Sequence, residues 1–407
     1  MKTEFYSANQ LTYCSNVHPG ESLDAVIDNI QTKFVKVKNA RQLSSMHSGL
    51  WLANKAAKSL IDEPDKLSLF QQVLKHNGVE LTSLNGFPFG DFHQAVVKNK
   101  VYLPDWSETS RLDYSKNLAK ILALCMPKAQ LKGAISTLPF GYASLWNTRK
   151  QAKATEQLIE LIKYLIELEE KTGKQIQFGI EMEPDCVFEK TSQLVDYFKH
   201  DLLPAAAIAG YSKHQVLRYI GCCYDTCHQA VLNEDILISL EQISQLGIEI
   251  VKIQISNAVA ADIKNTEQIE QLNQLFSDPK FLHQTKITSK ASPQESSTAL
   301  ADLSKSELEQ FLQQNQNQAF SARIHYHIPI NQDSFPYGFI SSTQDAIKQC
   351  LSFLVNNPDC RPFLEVETYT WLNFIDASIK LDTQLISGLT QELTWLENTL
   401  SELKLLK

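Results

Sequence analysis

Five stretches of the chain end in acid or imidazole side chains. Asp225 and His228 lie in Tyr224-Asp225-Thr226-Cys227-His228, directly after the apolar run Val216 to Cys223. Glu181 and Glu183 close the run Ile176 to Glu183, Glu365 and Glu367 close the run Phe363 to Glu367, His325 and His327 alternate across Tyr326, and His18 follows Val17. So many ionisable groups gathered at one mouth repel one another and lose hydration, and a bound cation offsets both costs. A mixture of carboxylate and imidazole suits a divalent ion such as Mn²⁺, Zn²⁺ or Mg²⁺. The expected ligands are Glu181, Asp225, His228, His327 and Glu365. Such an ion polarises a carbonyl or hydroxyl while flanking groups move protons, a task for which Glu181, His228 and Glu365 are the candidates. That chemistry serves isomerisation or epimerisation, and equally the hydrolysis of a phosphoester by an activated water.

Residues two apart on a strand share a face, so Glu181 and Glu183, His325 and His327, and Glu365 and Glu367 each form a same-side pair. One member ligates and the other orients it or belongs to a polar layer deeper in the fold; spacing does not choose between them. Several loops have the composition of a pocket for a small polar metabolite. Asn85-Gly-Phe-Pro-Phe-Gly-Asp-Phe-His93 carries two glycines and three phenylalanines, and Trp106 and Arg111 follow in the next connection. Aromatic walls with a few polar groups are common in binding pockets, although a Pro- and Gly-punctuated loop packs in the same way. The expected substrate contacts are His18, Asn85, Phe87, Trp106, Arg111, Glu183, Gln254, His325 and Glu367.

Eight strand candidates carry these residues: Leu11 to Val17, Val79 to Leu84, Leu131 to Leu138, Ile176 to Glu183, Val216 to Tyr224, Ile248 to Ser256, Ala322 to Ile330 and Arg361 to Thr368. Amphipathic runs such as Ala154 to Glu170 and Ile340 to Val355 alternate with them. Strict alternation predicts a parallel sheet, and eight strands predict its closure into a (β/α)8 TIM barrel with the site at the C-terminal ends of the strands. No Gly-rich nucleotide-binding turn is present. One domain is expected over 1–407. Lys264 to Gln318, rich in Gln, Ser and Lys, is expected as an insertion after the sixth strand, and Asp382 to Lys407 as an extra helix covering the barrel or pairing two copies.

A net charge of −8 argues against nucleic acid as a partner, because phosphate neutralisation needs clustered Lys and Arg. No apolar run reaches the ~20 residues of a membrane span, and Met1-Lys-Thr-Glu-Phe-Tyr lacks the apolar core of a signal peptide. A cytoplasmic location is expected, with the eight cysteines as reduced thiols.

On Glu181, Asp225-Thr-Cys-His228, His325, His327 and Glu365 the chain resembles the xylose-isomerase-like TIM-barrel superfamily, which includes sugar isomerases and epimerases and the endonuclease IV type of nuclease. The resemblance implies metal ligands and acid/base groups at these positions. Longer runs, among them Leu11-Thr-Tyr-Cys-Ser-Asn-Val-His-Pro-Gly-Glu21, Phe281-Leu-His-Gln284 and Leu364-Glu-Val-Glu-Thr-Tyr-Thr-Trp371, look like the EboE family of metabolite traffic proteins. That likeness implies a secondary-metabolite precursor as ligand, the other proteins of a metabolite-export operon as partners, and either catalysis or non-catalytic carriage. Gln254 stands where sugar epimerases of the superfamily place a sixth-strand His. An amide oxygen is the weaker ligand, so Gln254 is expected to face the same cavity as a weak ligand or a substrate contact.

Overall fold

The computed structural model describes residues 5–290, 297–374 and 380–407. Among them are thirteen strands: β1 Thr12–Tyr13, β2 Met46–Trp51, β3 Val79–Asn85, β4 Lys132–Thr137, β5 Gln175–Glu181, β6 Ile220–Asp225, β7 Ile250–Ile255, β8 Asn257–Ile263, β9 Thr285–Ser289, β10 Ser297–Leu300, β11 Phe320–Ile328, β12 Ile340–Ser342 and β13 Phe363–Val366. Eight of these form a parallel sheet in the order β1-β13-β7-β6-β5-β4-β3-β2. A parallel bridge between Cys14 and Gly49 brings its two edges together, so the expected barrel is present. Helices such as Thr148–Thr172 pack outside it. That helix starts at Asn147, whose side chain accepts from the Lys150 amide, buries Leu158, Leu161, Ile162 and Leu165, and stops at Gly173, where φ is 68°.

One of the eight expected barrel strands is replaced by another. Ala322 to Ile330 is not a barrel strand. Its residues belong to β11, in the middle of a separate antiparallel sheet ordered β10-β9-β11-β8-β12. The strand that completes the barrel is β2, whose Met-His-Ser-Gly-Leu-Trp carries no β-branched residue to announce it. A Cβ at Gly49 would stand 1.6 Å from Oε2 of Glu365 across the barrel, so the position requires glycine at the expense of strand propensity.

The insertion is therefore wider than 264–318 and follows the seventh barrel strand. It runs from β8 to β12 and holds its own core of Val259, Ile287, Leu308, Phe320 and Ile324. Its residues 291–296 lie outside the described residues. The run Val216 to Tyr219, expected as strand, ends a helix, Lys213–Tyr219, because Ser212 and Gln215 cap one another's backbone amides there. Ile340 to Val355 likewise divides into β12 and the helix Gln344–Asn356. The C-terminal helix Leu381–Glu402 buries Leu385, Leu389, Leu393, Leu396 and Leu400 in the main core. No helix among the described residues is long and apolar enough to cross a membrane.

Candidate metal centre

The barrel floor is polar. Lys252 and Glu365 point inward and pair at 2.8 Å, with Ser83 donating to the other Glu365 oxygen at 3.1 Å. Burial alone would lower the Lys252 pKa; Glu365 outweighs it and raises it. Glu365 is thus occupied one layer below the mouth. Glu367, two residues further along the same face, takes the place expected for Glu365.

The Asp225-to-His228 spacing is helix-cap geometry. Asp225 ends β6 and caps Thr226–Val231: its Oδ1 accepts from the His228 amide at 3.0 Å and from the Ser256 hydroxyl at 2.6 Å. The cap sets the His228 ring beside its own carboxylate, with Nε2 3.8 Å from Oδ2. Asp225 Oδ2 is buried and accepts no hydrogen bond among the described residues.

The His228 and His327 rings approach that oxygen, and His325 stands beside them. His228 Nδ1 lies 2.8 Å from the Met182 carbonyl, His327 Nδ1 2.8 Å from the Glu367 carbonyl, and His325 Nδ1 2.8 Å from Gln284 Oε1. Gln284 is held in that orientation because its amide nitrogen donates to the Tyr102 hydroxyl and the Pro184 carbonyl. Each partner of Nδ1 is an oxygen that only accepts, so each ring carries its proton on Nδ1 and presents a lone pair at Nε2. His325 and His327 nonetheless set their Nε2 atoms 3.2 Å apart. Two bare lone pairs repel at that separation, whereas two nitrogens bound to one zinc at about 2.0–2.1 Å stand about 3.3 Å apart in tetrahedral geometry. The donor set fits a divalent cation on this observation.

Ligand-bearing atoms lie within 4.8 Å of one another in the groups Asp225, His228 and His327; Glu183, His228 and His325; Glu181, Asp225 and Glu367; and Cys227, His325 and His327. Expected ligands Glu181, Asp225, His228 and His327 are thereby brought together, with Glu183, His325 and Glu367 joining them. The carboxylates crowd. Burial first, then Glu367, Asp225 and Glu183, raise the Glu181 pKa well above the ordinary range. Burial pushes Glu183 up to about 7, and burial with the Asp225 charge does the same to Glu367. Burial brings His327 down to about 4 and His325 well below its usual value.

A cavity of about 60 Å³ opens on this cluster. Asn85, Phe87, Glu183, His325 and Glu367 line it, as expected of substrate contacts. Other expected contacts lie elsewhere. Trp106 is buried with its indole donating to Thr137, and Arg111 is spent holding the carbonyls of Pro104, Gly86 and Phe87. His18 bonds Tyr13 beside a separate, smaller cavity. Gln254 is fully buried on the barrel's inner face, in register with Asp225 and Glu365, and neither of its amide atoms has a partner among the described residues. It does not line the cavity.

Sequence reasoning passed over Asn16, Tyr102, Gln284 and Tyr369. Asn16 and Asn85 both donate to Glu367 Oε1, at 2.7 and 3.0 Å, and Tyr102 donates to Glu183 Oε1 at 2.7 Å. Tyr369 packs its ring 4.6 Å from that of His327. Asn16, Gln284 and Tyr369 lie inside the long runs quoted above, which was the available signal; Tyr102 had none.

No family model matches the chain, and no curated protein does. Similar solved structures include a xylose isomerase-like TIM barrel protein from Mycobacterium smegmatis in complex with magnesium. It is 13% identical, with 96% of this chain and 99% of that one covered and a TM-score of 0.48. A D-tagatose 3-epimerase-like protein is 12% identical over 95% and 98% of the two chains, with a TM-score of 0.45. An IOLI protein with a binding zinc atom is 11% identical over 60% and 73%, with a TM-score of 0.35. At these values the barrel rests on its own strand order and the site on its own geometry.

Proposed function

We propose that this chain is a divalent-metal-dependent barrel enzyme that moves a proton on a small polar metabolite, as isomerases and epimerases do. The observation that carries the reading is the approach of two Nδ1-anchored histidines, His228 and His327, to the unpartnered Oδ2 of Asp225, with a third, His325, setting its Nε2 3.2 Å from that of His327. His325 and His327 would hold the ion together with His228 and Asp225, with the carboxylates of Glu181, Glu183 and Glu367 around it. A nitrogen-rich set of this kind favours Zn²⁺ or Mn²⁺ over Mg²⁺. The bound ion supplies electrophilic polarisation of a substrate carbonyl or hydroxyl.

The chain's own groups supply the proton transfer. Glu367 is steadied through Oε1 by Asn16 and Asn85, and Glu183 through Oε1 by Tyr102. Each keeps its Oε2 without a hydrogen-bond donor among the described residues. A carboxyl held at one oxygen and free at the other suits both accepting and returning a proton. The likeness to the EboE family supports a secondary-metabolite precursor as the molecule handled.

Metal analysis of purified protein tests the first half. Near-stoichiometric zinc or manganese is expected in the wild type and its loss in His327→Ala. Incubating metal-loaded protein with free ketoses and hydroxy-carbonyl metabolites in D₂O tests the second half, since proton transfer would carry deuterium onto carbon. Metal-free wild-type protein after growth in zinc and manganese would sink the reading; metal without exchange on any substrate would leave a carrier.

A further inference from the structure

The wall facing the ion-binding cluster is apolar and carries no uncommitted cation. Phe92, Phe281 and Tyr369 form one aromatic group, with ring centroids 5.0 Å apart for Phe92 and Phe281 and 4.9 Å for Phe281 and Tyr369. Phe87, Val101 and Leu282 extend it around the cavity. The single cationic side chain on the lining, Lys98, is already spent. Its ammonium donates to the Phe281 carbonyl at 2.7 Å and the Asp278 carbonyl at 3.2 Å, and it pairs with Asp302. Together with the backbone bonds from Val97 and Lys98 to the Lys280 carbonyl, this pins residues 278–281 of the insertion against the loop after β3. The remaining ionisable lining residues are the acids Glu181, Glu183 and Glu367 and the histidines of the cluster.

A phosphate group is recognised by Arg forks, Lys charge or a helix N-terminus. Beyond the ion itself, the cavity brings a phosphate none of these side chains and three carboxyls. Its volume is about 60 Å³. Resting on the metal reading above, we infer that the ligand is a small uncharged molecule. It turns hydroxyl or carbonyl oxygens to the ion and an apolar face to Phe92, Phe281 and Tyr369, and phosphorylated sugars are rejected.

Hydroxamates, which bring two oxygens to an ion, test this with zinc-loaded and zinc-free protein in a calorimeter. Acetohydroxamate should bind the loaded protein only. Butyrohydroxamate, longer by two methylenes, should bind about tenfold tighter. Phosphonoacetohydroxamate should bind more weakly than acetohydroxamate. Phe281→Ala should abolish the gain from the longer chain while leaving zinc content unchanged, and Phe281→Leu should restore the gain. Equal affinities for the acetyl and butyryl probes, or tightest binding by the phosphonate, would overturn the ligand class and leave the metal site standing. Acetohydroxamate binding that ignores zinc would remove the metal reading, and the ligand class with it.

Discussion

Lys252 and Glu365 form a 2.8 Å ion pair on the barrel floor, both without solvent exposure. Breaking such a pair leaves a bare buried charge, which costs far more than the pair itself contributes. Lys252→Met and Glu365→Gln should each destabilise the protein by about 3–5 kcal/mol. The double variant should cost much less than the sum of the two. Urea denaturation of the three variants measures the coupling, and additive losses would mean that the two groups do not depend on each other.

Asp225 caps a helix with one oxygen and offers the other to the ion. Asp225→Asn keeps the capping oxygen but removes the charge, so its stability without metal should stay within about 1 kcal/mol of the wild type. Its zinc affinity should nevertheless fall by at least about tenfold, the order of effect seen when a ligand loses its supporting group. Calorimetric zinc titration of both proteins decides this. Equal affinity would remove Asp225 from the ligand set.

Gly49 lies where a Cβ would overlap the Glu365 carboxyl, at 1.6 Å from Oε2 and 2.0 Å from Cδ. Gly49→Ala should therefore cost about 1–3 kcal/mol or more, through displacement of Glu365 from Lys252. In a Lys252→Met, Glu365→Ala background the same substitution should be tolerated. A cost unchanged in that background would place the clash elsewhere.

Glu392, on the C-terminal helix, accepts from the Ile330 amide at 2.9 Å, the Thr368 hydroxyl at 2.7 Å and the Trp371 indole. It thereby ties the ends of the histidine-bearing strand and of the Glu367 strand to one helix. Burial pushes its pKa up to about 7, against the hydrogen bonds it accepts. A carboxyl whose folded pKa is raised stabilises fully below its unfolded pKa of about 4.5 and loses that contribution as pH rises through 7. Wild-type stability should fall between pH 5 and 8 by on the order of 3 kcal/mol relative to Glu392→Gln, which does not titrate. Urea denaturation of both proteins across that range checks the sign, and a constant difference would refute it.

From local chemistry alone the chain declares its strand-helix alternation and the acids and imidazoles at strand ends. Each depends on residues within about one turn of each other. Depth in the barrel does not. Whether Glu365 or Glu367 reaches the mouth depends on the register of β13 against β1 and β7, where Glu365 pairs with Thr12 and Gln254. Those partners lie more than a hundred residues away, and a same-face pair looks identical in sequence whichever member is deeper. The same holds for β2, where a glycine demanded by a distant carboxyl removes the local strand signal. His325 and His327 read as a barrel strand because alternation marks any strand. Only the hydrogen bonds of β11 to β8 and β9 assign them to the antiparallel insertion, which delivers two imidazoles to the barrel's mouth from outside it.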